Sequence, residues 1–340
     1  MLDEIVAKDC REIIENTKLS KIKNKKILVL GGNSFIGNYL QAVLSQINCQ
    51  IVSVSLNKPK SIIKGIKKNF KFIKADLNDE KKTKKILKNK FDFIFHLATY
   101  GQPKKWSHNE LSTINLNINL LKNVLDHSVK YKSRILYMSS AAVYKLPKKK
   151  KLIEENSKLS IGSFDGEIIY ANSKIIGEQL CRIYKKKFKI PVYVVRVAHT
   201  YGPGQNFKDP RIIPQLIKRA AVNKNIFLFD KGKSIRTWGY ISDITVMLLN
   251  IIQFGKSYIY NVSGSDHKSI IQVAKIISKF FNNKKIIFKK KKLNYVNLKP
   301  SILKISSKKY HLEFKKKFKT NFIDGIRKTI YWNNIWQKLN

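Results

Sequence analysis

The sequence predicts an α/β protein: a doubly wound parallel sheet followed by a smaller C-terminal α/β domain. Short apolar runs alternate with stretches of helical periodicity from Lys25 to Val197, as parallel strands joined by crossover helices require. The first run ends in a glycine turn that opens a helix. After Tyr201 the strands and helices become shorter, which marks a second unit. The expected divisions are 1–24, an N-terminal helical extension; 25–200, the main domain; and 201–340, the smaller domain.

In order along the chain, Ile5, Ile13 and Ile14 in a charged background suggest a short amphipathic helix within Met1–Asn24. Ile27–Leu30 is an unbroken apolar run, as a strand buried on both faces requires. Gly31-Gly32 breaks it, and Phe35, Ile36, Tyr39, Leu40 and Val43 then recur at helical spacing over 34–47. Further strands are expected at 50–55, 70–75, 91–97, 134–139 and 191–197. Helices are expected at 79–88, 111–131 and 168–187. Tyr201-Gly202-Pro203-Gly204 reads as a loop, with helices near 212–222 and 270–281 beyond it. Ligands of such sheets bind beyond the carboxyl ends of the strands, near the switch in strand order.

The bulk composition narrows the function. Of 340 residues, 43% are hydrophobic, ample for a large core. No apolar run approaches the ~20 residues of a membrane span, and the acidic, broken N-terminus is not a secretory signal. Cys10, Cys49 and Cys181 are odd in number and scattered, which points to a reducing cytoplasm with neither a disulfide frame nor a metal site. The net charge is +46, from 68 Lys and Arg against 22 Asp and Glu. Lysines nevertheless occur in almost every segment, and no nucleic-acid module accompanies the clusters at 148–151, 289–292 and 315–317. They read as solvated loops, so no specific nucleic-acid partner is expected.

Three local patterns carry chemistry. Strand, glycine turn and helix place orphan N–H groups and the positive end of a dipole against a phosphate. The spacing here is Gly31-x-x-Ser34-x-x-Gly37; a tight turn without a ligand has the same pattern. Ser139-Ser140 follow the fifth strand, where hydroxyls face the ligand crevice or cap local backbone. Tyr170 and Lys174 lie one turn apart on a helix. An ammonium beside a phenol favours the phenolate, so the pair predicts a tyrosine of lowered pKa acting as acid or base near neutrality. Alone it is also an ordinary surface pair; the order of the three patterns is what gives it meaning.

With these residues the chain, from about Lys25 to about Trp332, resembles the extended short-chain dehydrogenase/reductase family, specifically its nucleotide-sugar epimerases, dehydratases and reductases. The resemblance implies a Rossmann-type fold, NAD (with NADP open), a nucleotide-diphosphate sugar as substrate, and a homodimer formed by the helices at 111–131 and 168–187. It places NAD(P) on Gly31, Ser34, Phe35, Ile36 and Gly37, the adenine at Asp76-Leu77, and His96-Leu97-Ala98 beside the cofactor. It makes Ser140, Tyr170, Lys174 and Asn117 the catalytic set, with Asn115 as the alternative asparagine. Arg196, Tyr201–Gly204, Gly232, Arg236 and Asp243 fit later family segments, with Arg236 toward the diphosphate and His199 in a substrate-touching place usually held by Asn.

The departures sharpen the expectation. Ser34 replaces a glycine, and Ser55 replaces the acid that selects NAD, with Asn57-Lys58 following. Ala141 and Ala142 stand where the 4,6-dehydratases carry Asp-Glu and the UDP-glucuronate decarboxylases usually carry a second-position Glu. Alanine transfers no proton, which disfavours both reactions. The expected function is a 4-epimerase using tightly held NAD, with an NADPH-dependent 4-keto-sugar reductase as the alternative. Outside enzymes, the alternatives are a non-catalytic dinucleotide-binding protein and a charge-driven nucleic-acid binder.

Overall fold

The computed structural model describes residues 2–58, 69–101, 103–147, 151–160, 166–205, 207–222, 225–228, 231–288 and 301–339. The lysine runs at 148–150 and 289–292 fall outside these residues. The N-terminal half contains α1 (Leu2–Asn16), β1 (Lys26–Leu30), α2 (Phe35–Leu44), β2 (Gln50–Ser55), β3 (Phe70–Lys74), α3 (Glu80–Leu87) and β4 (Phe93–His96). Then come α4 (Pro103–His108), α5 (Glu110–Ile114), a π-helical segment (Asn115–Asn119), α6 (Leu120–Tyr131), β5 (Arg134–Ser140), α7 (Gly166–Phe188) and β6 (Val192–Val197). The remainder is β7 (His199–Tyr201), α8 (Ile212–Val222), β8 (Ile226–Leu228), β9 (Ile235–Tyr240), α9 (Ile241–Phe254), β10 (Ile259–Val262), β11 (Asp266–Ser269), α10 (Ile270–Lys279), β12 (Ile286–Phe288), β13 (Ile302–Leu303), α11 (Lys308–Phe314) and α12 (Phe322–Leu339).

Seven parallel strands form the main sheet in the order β10-β6-β5-β4-β1-β2-β3. The order reverses between β1 and β4, whose carboxyl ends flank the ligand crevice of such sheets. Each face is covered. Val6, Tyr39, Val43, Leu248 and Ile252 belong to one buried cluster, and Leu121, Val124, Cys181 and Val194 to the other. The chain re-enters this sheet through α9 and β10, well after Tyr201. A second sheet, β11-β9-β13 with β7 also paired to β9, and a β12–β8 pair make up the outer layer.

Local chemistry sets the ends of the elements. Asp79 caps α3 by accepting from Lys82 N at 3.0 Å, and Ser269 with Gln272 forms a capping box on α10. The helix expected as one piece at 111–131 is instead α5, the π segment and α6; its extra residue per turn brackets Asn117. The strand expected at 91–97 is shorter, since Phe91 and Asp92 turn at the sheet's amino end to bond neighbouring strands. Helix α4 carries no periodic signal and was not expected from the sequence.

Candidate active site

The carboxyl end of β1 is built around the glycine turn. Gly31 has φ +84°, and a Cβ there would lie 2.8 Å from the Ala98 backbone, so the close approach of β1 and β4 requires glycine. Ser34, with φ −74°, needs no glycine; it is the N-cap of α2, and its Oγ accepts from Gly37 N at 3.0 Å. Phe35 and Ile36, at the first turn of α2, keep N–H groups without intrahelical acceptors. Gln41 Nε2 steadies the turn from behind, donating to Gly32 O at 2.7 Å and Gly37 O at 2.8 Å. At the end of β2, Ser55 Oγ donates to Asn57 O at 2.8 Å, and Asn57 and Lys58 are exposed. After β3, Asp76 is exposed, Leu77 is buried, and Asp76 Oδ1 accepts from Asn78 N at 2.9 Å. Two free N–H groups at a helix start, a glycine-only approach and an open carboxylate two strands away fit the phosphates and the adenosine of a dinucleotide.

The second cluster lies across the switch point, where β5 and α7 meet. Tyr170 and Lys174 share one face of α7 and are 7% and 1% exposed. Lys174 Nζ donates to Met138 O at 2.7 Å; it sits 4.8 Å from the Tyr137 ring centroid and 5.9 Å from that of Tyr170. Ser140 Oγ accepts from Ala142 N at 3.1 Å, leaving its own proton for the Tyr170 phenol or a bound oxygen. Asn117 Nδ2 donates to Ser173 Oγ at 2.9 Å, and Ser173 donates to Tyr170 O at 2.9 Å. Asn115 instead donates toward Asn78, so Asn117 is the asparagine joined to the tyrosine helix.

The electrostatics correct one expectation. Burial pushes Tyr170 up to about 12, opposed by the Ser140 hydrogen bond. Lys174, aimed at Met138 O rather than at the phenol, does not lower it in this structure. Burial lowers Lys174 itself to about 7, with Glu178 opposing. His96 is pushed down to about 3 by burial and by Lys174, so it is neutral.

Two residues at the site, Glu178 and Trp106, were not singled out from the sequence. Glu178, one turn beyond Lys174, holds Arg196 through Nε at 2.9 Å and Nη2 at 2.6 Å, and accepts from Ser139 Oγ at 2.6 Å. This buried fork locks the ends of β5 and β6 to α7. Trp106 lies stacked on Tyr170, with centroids 4.3 Å apart and planes at 12°. The i, i+4 spacing of Lys174 and Glu178 was a readable clue; nothing in the segment around Trp106 was.

The substrate-side residues come together less tightly. His199 is exposed, lies edge-on to Trp238 at 5.3 Å, and has its imidazole pKa lowered by desolvation and by Arg236 and Arg211. Arg236 Nη1 and Nη2 bond Ser301 O and Oγ at 2.8 and 2.7 Å, so its guanidinium is engaged with the β13 strap. Gly232 has φ +61°, and Asp243 accepts from Lys319 N at 3.0 Å.

The model of the NAD dependent epimerase/dehydratase family matches residues 27–263. A UDP-glucuronic acid decarboxylase 1 of Xenopus tropicalis is 25% identical over 81% of this chain and 68% of its own length. A dTDP-D-glucose 4,6-dehydratase of Dictyostelium discoideum is 26% identical, covering 93% and 84%. Among solved structures, an epimerase of Methanothermobacter thermautotrophicus superposes with a TM-score of 0.83 at 21% identity, covering 96% of each chain. The UDP-glucose 4-epimerase of Thermotoga maritima superposes at 0.80 with 19% identity, covering 93% of this chain and 100% of its own. These superpositions match the fold, and the family match covers both clusters of the site. The chain belongs to the NAD dependent epimerase/dehydratase family.

Proposed function

We propose that this chain is a nucleotide-sugar 4-epimerase that keeps its NAD bound through turnover. The observation that carries the reading is the turn after β5. Ser140 is followed by Ala141, which is buried, and Ala142, so this turn brings no ionisable side chain to Tyr170. Eliminating water from a keto-sugar calls for a further acid or base; oxidation and re-reduction at one carbon does not.

NAD, when bound, would supply the hydride acceptor for oxidation and re-reduction at one carbon. Gly31, Phe35, Ile36 and Gly37 hold its phosphates, Ser34 shapes their turn, and Asp76, Leu77 and Ala98 line the rest of its site. Tyr170 Oη, as the phenolate, takes the proton of the sugar hydroxyl and later returns it. Ser140 Oγ, already accepting from Ala142 N, donates to the same oxygen. Lys174 donates one N–H to Met138 O and, when protonated, has two more for the cofactor's ribose. Its Nζ lies 5.9 Å from the Tyr170 ring centroid, held on Met138 O rather than on the phenol. Asn117 fixes the first turns of α7 through Ser173. His199 and Arg236 face the nucleotide-diphosphate sugar.

Leu111 and Ile114 on α5 and Ile176 and Ile183 on α7 are exposed apolar residues on neighbouring helices, which supports a homodimer through this face. Three free, buried cysteines support a reducing, cytoplasmic setting. A second reading, an NADPH-dependent 4-keto-sugar reductase, is favoured by the end of β2, where Ser55, Asn57 and Lys58 offer no carboxylate against a 2′-phosphate.

The test has two parts. Denatured protein should release NAD, and incubation with UDP-, dTDP-, GDP- and CDP-sugars should give C4 inversion by NMR with no change in mass. Consumption of NADPH would select the reductase, and loss of water or carbon dioxide would overturn both. Tyr170→Phe should lower turnover on the order of 10³-fold with NAD still bound; unchanged turnover would sink the mechanism.

A further inference from the structure

The proposed mechanism leaves Trp106 without a task, yet the indole lies on the proposed base. Its ring is parallel to that of Tyr170 within 12°, at a centroid distance of 4.3 Å. Such a stack covers one whole face of the phenol and resists rotation of its ring. The rest of α4 does not explain this placement. Among its described side chains, Ser107 and His108 are exposed and Trp106 alone turns inward. The indole Nε1 is shielded from solvent without an acceptor among the described residues, a cost that a side chain packed only for stability would avoid by turning outward. Helix α4 follows β4, whose end touches the glycine turn, and it packs on α7. The indole is thus held against the base by a helix that packs on the base's own helix.

We infer that Trp106 is a positioning residue for Tyr170: it fixes the plane of the phenol toward Ser140 and shuts water away from one of its faces. The inference rests on the reading of Tyr170 as the base. The groups that face the phenol besides Trp106 are few. Ser140 reaches it from the end of β5, Lys174 from its own helix, and Tyr137 from β5, with neutral His96 on β4 behind Lys174. None of these covers the ring face that the indole covers. Water exclusion by Trp106 therefore adds to the burial that keeps the phenol protonated, and removing the indole lets water stabilise the phenolate.

The experiment uses the full chain labelled with [¹³Cζ]tyrosine, the Tyr170 signal being assigned by its loss in Tyr170→Phe. In Trp106→Ala the Tyr170 signal should titrate at least ~1 pH unit below wild type, whereas Trp106→Phe, which keeps a ring on the phenol, should stay near wild type. Trp106→Gln brings a hydratable side chain to the same place and serves if the alanine variant does not fold. With a sugar that is turned over, Trp106→Ala should lower kcat by about 10-fold or more while KM moves little, and the pH at which kcat rises should fall with the titration. A Tyr170 titration identical to wild type in both Trp106→Ala and Trp106→Gln overturns the inference. The titration needs no substrate, so it separates this outcome from failure of the epimerase reading, which Tyr170→Phe and the product assay decide.

Discussion

At the scale of single residues, burial decides the protonation states of the site: it keeps the Tyr170 phenol and the His96 imidazole neutral and weakens the Lys174 ammonium. Lys174 is the clearest case. Its pKa falls from 10.5 to about 7 because burial penalises the ammonium, and Glu178, already forked to Arg196, only partly compensates. Between about pH 7 and 10.5 the unfolded chain binds the Lys174 proton and the folded chain does not, so this residue makes stability rise with pH across that window. Its cost is greatest at and below pH 7, where it amounts to a few kcal/mol at most. Lys174→Met should therefore stabilise the protein at pH 7, with a gain in urea midpoint that shrinks toward pH 10, while turnover is lost. A variant no more stable than wild type at pH 7 would show that the buried amine is better solvated than its surroundings suggest. Ser34 teaches the opposite lesson. It looked like a defect in the glycine pattern, but it has an ordinary φ and caps α2, so its Cβ is no obstacle.

At the scale of elements, α1 is tied to the body by one carboxylate. Asp9 is fully buried and accepts from Tyr39 Oη at 3.1 Å on α2, Tyr240 Oη at 2.5 Å on β9, and Lys328 Nζ at 2.8 Å on α12. Burial raises its pKa, with Lys328 and the two phenols opposing. Removing the acid would strand a cation and two hydroxyls, so Asp9→Ala should cost about 3–5 kcal/mol, read by urea denaturation. A loss below about 1 kcal/mol would mean that α1 is a loose appendage. The N-terminal extension, whose purpose the sequence left open, thus joins α2, β9 and α12. The π segment does comparable work at the site, setting Asn117 toward Ser173 while Asn115 turns to Asn78.

At the scale of the whole molecule, two surface properties stand out. The net charge of +46 makes the surface repel itself, and some of the described acids form local pairs, such as Glu80–Lys84 and Asp126–Lys122. Against that background, the exposed Leu111, Ile114, Ile176 and Ile183 form an apolar exception on α5 and α7. If this face joins two copies, Leu111→Asp with Ile183→Asp should shift sedimentation from dimer to monomer without unfolding the chain. A wild-type protein that sediments as a monomer at all concentrations would refute the dimer.

The fold was legible because its signals are local. Apolar runs bounded by turns, helical spacing and a glycine break are consequences of backbone geometry, and each can be read within a dozen residues or so. The glycine turn and the Tyr170–Lys174 face were legible for the same reason. The pKa of Tyr170 was not. Its direction depends on burial by Trp106 and on Lys174 choosing Met138 O, and neither follows from the spacing of the pair. The engagement of Arg236 by Ser301, the Glu178–Arg196 fork and the Asp9 tie likewise join residues far apart in the chain. Sequence alone determined which elements form and which side chains share a helix face. Only tertiary packing decided which of those side chains meet, and how much water each of them keeps.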